Sequence, residues 1–163
     1  MVWVWGETVP VDLTILEDLR QLKYRYLRAL DLKEWDEFAD TLMPDATAHY
    51  GERASFSGRA AIVEFMRQSV GPGIITVHHC HHPELQVDGD QATGRWALQD
   101  TVIITERRAV LRGAAFYEDR YTRADGVWRI QHTGYERLYE SMFSLKDLPS
   151  FTLTANRWAT PSH

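Results

Sequence analysis

Residues 74–104, IITVHHCHHPELQVDGDQATGRWALQDTVII, decide the fold. Side chains two apart on a strand share a face, and apolar and polar residues alternate here with period two on both sides of the turn signal Asp88-Gly-Asp90. The stretch therefore reads as two long strands, Ile74 to Val87 and Gln91 to Glu106. The same period runs on through turn signals around Arg107-Arg108 and at Ala124-Asp-Gly126, giving strands Ala109 to Thr122 and Val127 to about Tyr139. Connections this short join antiparallel neighbours, so the strands form a meander.

Upstream the period is helical. Ile15, Leu19, Leu22, Tyr26 and Leu30 recur at spacings of four, three, four and four, which predicts a helix from Thr14 to Leu30 opened by a Thr14-x-x-Glu17 capping box. A shorter helix carries Trp35, Phe38 and Leu42 on one face and stops before Pro44. Ala46 to Phe56 reads as a hairpin around Gly51, and a third helix from Ala60 to about Ser69 buries Ile62, Val63, Phe65 and Met66 before Gly71-Pro-Gly73 ends it. Helices followed by strands make the class α+β.

The chain has 163 residues, 44% of them hydrophobic, enough for one domain with a core of its own and no need of staples. That domain spans 1–163, with a core at about 13–139 and an irregular tail at 141–163 that could act as a lid or a dimer arm. In the tail, Phe143, Leu145, Leu148, Phe151 and Trp158 predict packing back on the body. The formal net charge of −5, without a Lys/Arg cluster, argues against a nucleic-acid partner. Cys80 is the lone cysteine, so an internal disulfide is excluded and a reducing, cytoplasmic compartment is expected. Met1 to Gly6 is apolar but lacks the basic flank and cleavage site of a signal peptide, and no run is long enough for a membrane span. The expected partner is a small hydrophobic molecule, with no membrane involved.

Asp100 lies in a row formed by Trp96, Leu98, Val102 and Ile104. A carboxylate on such a face needs a partner, because desolvating it costs several kcal/mol, on the order of the interactions that hold a domain together. The preceding strand carries His78-His79-Cys80-His81-His82. Strict alternation puts His79 and His81 with Ile75, Val77, Leu85 and Val87, and His78 with Cys80 and His82, unless a bulge near Pro83 reverses the parity. A neutral imidazole is a natural general base, and a neighbouring carboxylate would orient it. Consecutive strand residues alternate faces, so the cluster is a poor metal cage. Asp31 follows Leu30 at the end of the first helix, where it faces the sheet interior or caps the next helix, and Tyr26 lies one turn earlier. Tyr50, Tyr117, Asp119, Tyr121, His132 and Arg137 are further polar strand residues, with His132 sharing a face with Trp128 and Ile130.

Several motifs in this order resemble the SnoaL-like branch of the nuclear transport factor two-like superfamily. They are Tyr26-Leu-Arg-Ala-Leu-Asp31 with Trp35-Asp36, Pro44-Asp45-Ala46, Gly58-Arg59-Ala60, His78-His-Cys-His-His-Pro-Glu84, Gly94-Arg-Trp96 through Asp100, Tyr117-x-Asp119-x-Tyr121 and Asp125-Gly-Val-Trp-Arg-Ile130. The resemblance implies a strongly curved antiparallel sheet forming a cone, closed by three helices of the N-terminal half around a deep pocket. Within that branch the sequence is similar to scytalone dehydratase and the bile-acid dehydratases, which implies elimination of water without metal or organic cofactor. Carried over by motif, the catalytic set falls on Tyr26, Asp31, His78 and Asp100, with His81 as the second choice of histidine. Tyr50, Trp96, Leu98, Phe116, Tyr117, Trp128, His132 and Arg137 are the expected substrate contacts, suited to a polycyclic or aromatic carbonyl compound such as a polyketide or steroid. In this reading Tyr26 or Tyr50 polarises a carbonyl while His78, oriented by Asp100 or Asp31, removes the neighbouring proton for syn elimination. The same site without a leaving group would serve an isomerase or cyclase, and the superfamily also holds non-catalytic ligand binders and assembly subunits. A homo-oligomer, dimer or trimer, is expected from an exposed sheet face and the apolar Val2-Trp-Val-Trp5 end.

Overall fold

The computed structural model describes residues 12–51 and 54–159. The apolar end around Val2-Trp-Val-Trp5 and the last residues of the tail lie outside them. Helix α1 spans Leu13–Leu32 and buries Leu19, Leu22, Tyr26, Leu27 and Leu30 along one stripe. Its cap differs from the expected box: the Asp12 carboxylate accepts from the Thr14 backbone N–H at 2.8 Å. Thr14 is therefore inside the helix, and Glu17 accepts from Gln21 one turn on. Lys33 ends α1 in the left-handed conformation, at φ 59°.

The short α2, Trp35–Asp40, buries Phe38. Strand β1, Leu42–Tyr50, follows at once, so Leu42 opens a strand instead of closing the face of α2. Strand β2, Ala54–Ser57, pairs antiparallel with β1, and α3, Arg59–Ser69, buries Ile62 and Met66 while Val63 and Phe65 stay half-buried. The remaining strands are β3, Ile74–Asp88, β4, Gln91–Ile104, β5, Ala109–Ala124, and β6, Val127–Ser144. Beyond β6 a single 3-10 turn, Leu145–Asp147, leads into residues 148–159, which lack regular structure. Leu145 and Trp158 pack back as expected, whereas Phe143, Leu148 and Phe151 are exposed.

The six strands form one sheet in the order β2-β1-β6-β5-β4-β3. Strands β3 to β6 are the antiparallel meander, and the helices cover the concave side. The sheet as a whole is mixed, because β1 runs parallel to β6. That pairing joins strands far apart in sequence, beyond the reach of local periodicity. Among the described residues no helix is long and apolar enough to cross a membrane.

Three register shifts bend the long strands and change which side chains face inward: His81/Glu84 on β3, and Ala114/Ala115 and Arg120/Tyr121 between β5 and β6. A bulge adds one residue to one strand and so reverses its parity beyond that point. On β3, His82 takes a positive φ of 50° at the bulge. Thr76, His78 and Cys80 consequently share the interior face with Leu85 and Val87 farther along. Strict alternation without the bulge places His79 and His81 there instead. On β6 the shift at Gln131 leaves Ile130 opposite the buried Tyr121 but puts His132 opposite the exposed Arg120.

Candidate active site

A cavity of about 270 Å³ lies between the C-terminal end of α1, helix α3 and the interior faces of β3 to β6. Its apolar wall includes Leu30, Phe65, Met66, Val70, Val102 and Leu111. Its polar wall comprises Tyr50, Ser69, Thr76, His78, Asp100, Tyr117, Tyr135, Arg137 and Glu140. Three polar assemblies meet there.

The first is Asp31 with His78. Asp31 sits in the last turn of α1 and faces β3, where its Oδ1 lies 2.6 Å from His78 Nδ1. The same carboxylate accepts from Thr76 Oγ1 at 2.8 Å and from the His78 backbone N–H at 2.9 Å. Three donors thus fix one acceptor, and an ionised carboxylate takes that role. With Nδ1–H donated to Asp31, the lone pair of His78 falls on Nε2. Asp31 does not cap α2.

The second is a phenol pair. Tyr26 on α1 and Tyr50 on β1 lie 2.8 Å apart, oxygen to oxygen. Tyr50 belongs to the cavity wall, and Tyr26, fully buried, backs it. Burial pushes the Tyr26 phenol well above its ordinary pKa, and Tyr50 is raised for the same reason. Both are therefore donors at neutral pH.

The third is a fork between Asp100 on β4 and Arg137 on β6, which crosses β5. Arg137 Nη1 and Nη2 donate to the two Asp100 oxygens at 2.6 and 2.8 Å. Burial opposes the guanidinium charge, but the hydrogen bonds and charge of Asp100 outweigh it and hold Arg137 above its usual pKa. The strand between them has Gly113 opposite Asp100, and a Cβ at that position would collide with Arg137 Nη1 and lie 2.9 Å from Asp100 Oδ1. Glycine leaves the groove in which the fork lies. His78 and Asp100 are register partners on β3 and β4, yet the carboxylate is committed to Arg137, so Asp31 is the one that orients His78.

The other expected site residues divide clearly. Tyr117 lines the cavity. His81 does not: its Nδ1 lies 3.1 Å from that of His82 beside the bulge. Trp96 and Leu98 are buried in the core but not along the cavity, and Trp96 Nε1 donates to Tyr121 at 2.8 Å. Phe116 is exposed, as it must be if its neighbour Tyr117 faces inward. Trp128 borders a separate hollow with Leu22 and Arg25. His132 bonds Thr47 Oγ1 at 2.7 Å away from the cavity, and burial together with the charge of Arg120 lowers its pKa. Thr76, Tyr135 and Glu140 were not foreseen as wall residues.

Nor was the pair beneath the cavity, Lys23 with Asp119. Lys23 Nζ lies 2.8 Å from Asp119 Oδ2, and both side chains are fully buried. The ammonium also sits 3.5 Å from the centroid of the Tyr117 ring, and Tyr121 donates to the same Asp119 oxygen. Lys23 falls at i+4 from Leu19 and i−3 from Tyr26, so its place on the apolar stripe was a readable signal. Burial raises the nearby Cys80 thiol to about 11, with Lys23 pulling the other way, so it is protonated at neutral pH. Among the described residues, no three of His, Cys, Asp and Glu gather at one metal-sized locus.

A family model described as SnoaL-like domain matches residues 11–134. The chain belongs to the SnoaL-like family. A relative in Mycobacterium tuberculosis (strain ATCC 25618 / H37Rv), uncharacterized protein Rv2910c, is 25% identical over 127 residues, which cover 77% of this chain and 86% of that one. A solved hexachlorocyclohexane dehydrochlorinase (LinA) type 2 superposes with a TM-score of 0.75 at 19% identity, over 81% of this chain and 90% of its own. A scytalone dehydratase-like protein from Novosphingobium aromaticivorans DSM 12444 gives 0.74 at 18%, over 79% and 87%. At such identities the likeness shows the fold, the nuclear transport factor two-like cone, and leaves activity to be argued from the site.

Proposed function

We propose that the protein is a lyase that eliminates water from a hydroxylated aromatic carbonyl compound, with no metal or organic cofactor in the step. The observation that carries this reading is His78 held by Asp31 at 2.6 Å on the polar wall of the cavity, facing its apolar wall, with a hydrogen-bonded phenol beside it. The substrate carbonyl accepts a hydrogen bond from Tyr50, which Tyr26 supports from behind, and the developing enolate charge is stabilised there. His78 Nε2 takes the proton α to the carbonyl, and Asp31 stabilises the imidazolium. The same imidazolium then protonates the departing hydroxyl: the C–H and C–O bonds break, a C=C bond forms, water leaves, and His78 returns to its neutral state. The role of Asp100 in this scheme is to hold Arg137.

The neighbours described as a dehydrochlorinase and a scytalone dehydratase-like protein are consistent with such chemistry on this fold, since each name denotes an elimination. The test is a panel of β-hydroxy ketones fused to an aromatic ring, followed by mass spectrometry for loss of one water. Turnover by the wild type that disappears in His78→Ala, with an unchanged far-UV circular dichroism spectrum, is the expected result. A double bond that migrates without loss of water would make the protein an isomerase, and binding with release of unchanged compound would make it a carrier; either overturns the dehydratase reading.

A further inference from the structure

Resting on the reading of this cavity as the substrate site, we infer that the Asp100–Arg137 fork over Gly113 is a charge-selectivity device, and that the substrate is an uncharged compound of one or two rings. Arg137 is the one Lys or Arg among the described residues lining the cavity. A lone guanidinium on such a wall would ordinarily recruit a carboxylate or phosphate, since its planar donors match those oxygens. Here Nη1 and Nη2 already serve Asp100, while Nε makes no hydrogen bond and lies 3.3 Å from Oε2 of the exposed Glu140. Two carboxylates, the buried Asp100 and the exposed Glu140, therefore flank the guanidinium, and a third, Asp31, stands behind His78. An anion that entered would meet a net negative wall with its natural receptor occupied, whereas a neutral hydroxyl or carbonyl would still find Tyr50, Thr76 and His78. Gly113 keeps this arrangement possible, because a side chain there would displace the guanidinium from the fork.

Size narrows the class further. A dry cavity of roughly 150 Å³ holds one benzene ring. The 270 Å³ here, open at its mouth, takes two fused rings, so four rings would have to project out of it. On the outer side, Tyr50 and Tyr135, with ring centroids 5.9 Å apart, and Arg137 border both this cavity and an open groove carrying His49 and Glu136.

The test is binding, independent of turnover. Uniformly labelled protein is titrated with 2-naphthol, 2-naphthoate and 17β-estradiol at pH 7, and dissociation constants are taken from the Thr76 and His78 backbone amide shifts. Naphthol is expected to bind about tenfold or more tightly than naphthoate, which has the same ring system and one negative charge, and estradiol should not move those amides. Asp100→Asn frees Arg137 without changing the shape of the wall, so naphthoate should gain about tenfold while naphthol changes little. The neutral double variant Asp100→Asn/Arg137→Gln should lose that gain, which guards against a trivial folding effect. Equal binding of naphthol and naphthoate by the wild type, a ratio unmoved by Asp100→Asn, or binding of none of the rings at these amides would overturn the inference, and estradiol binding there would overturn its size limit. Failure of the dehydratase reading alone would leave the binding ratio intact.

Discussion

Replacing Lys23 by Met keeps the aliphatic volume in the core and removes the cation paired with Asp119. The structure sets the magnitude. Both side chains are fully buried with Nζ 2.8 Å from Oδ2, so the variant leaves a carboxylate in the interior without its counter-charge. Breaking a buried pair from one side costs about 3–5 kcal/mol. Asp119 keeps the Tyr121 hydroxyl at 2.8 Å, which places Lys23→Met near the lower end, about 3 kcal/mol. Asp119→Leu strands the ammonium between the rings of Tyr117 and Tyr26, at 3.5 and 4.9 Å, and belongs at the upper end, because cation–π attraction of about 2 kcal/mol does not replace an ion pair. The double variant is neutral and apolar, so it should recover most of the loss, short of about 1 kcal/mol for the acceptor that Tyr121 forfeits. Urea unfolding at pH 7, followed by far-UV circular dichroism for all four proteins, gives the coupling energy, expected to be at least about 3 kcal/mol. Additive single effects, or a Lys23→Met cost below about 1 kcal/mol, would refute the reasoning.

Further outcomes follow from the same geometry. Tyr26→Phe removes the partner of a buried Tyr50 hydroxyl and should cost about 1–2 kcal/mol in thermal or urea unfolding, with weaker polarisation of a bound ketone carbonyl visible as an infrared shift toward its value in apolar solvent. Asp12→Ala should cost about 1 kcal/mol and Thr14→Ala less than half of that, the reverse of a Thr14 capping box, as measured by urea midpoints. Burial lowers the His132 pKa, so the unfolded chain binds that proton more readily and stability should fall as pH drops through the ordinary value of 6.5. In His132→Gln, unfolding free energies at pH 7.5 and 5.5 should lie closer together than in the wild type; an unchanged difference would remove His132 from the acid response.

The change of period at Ile74, the turn at Asp88-Gly-Asp90 and the stripe of α1 made the helices and the meander legible in the sequence. What alternation could not deliver was parity past a bulge. One extra residue between His81 and Glu84 brings His78 and Leu85 to the same face, and another at Gln131 turns His132 outward while Tyr135 and Arg137 come inward. Family motifs point to His78 where counting points to His79 and His81, because a motif carries its bulge with it. The partnerships were harder still. Asp31 meets His78 across 47 positions and Arg137 meets Asp100 across 37, so each depends on strand order and register that no local pattern encodes. Asp100 was readable as a buried carboxylate that needs a cation; that the cation is Arg137, two strands away, was not.

The central claim is that His78, held by Asp31, is a working base in a ring-sized cavity. Its most direct test is the exchange of α-protons of 2-tetralone, an uncharged two-ring ketone with no leaving group, into deuterated water, followed by proton NMR. The account predicts exchange well above the buffer rate, reduced about 100-fold or more in His78→Ala and substantially in Asp31→Asn. Exchange at the buffer rate with saturating ketone, or acceleration that survives His78→Ala, would contradict it.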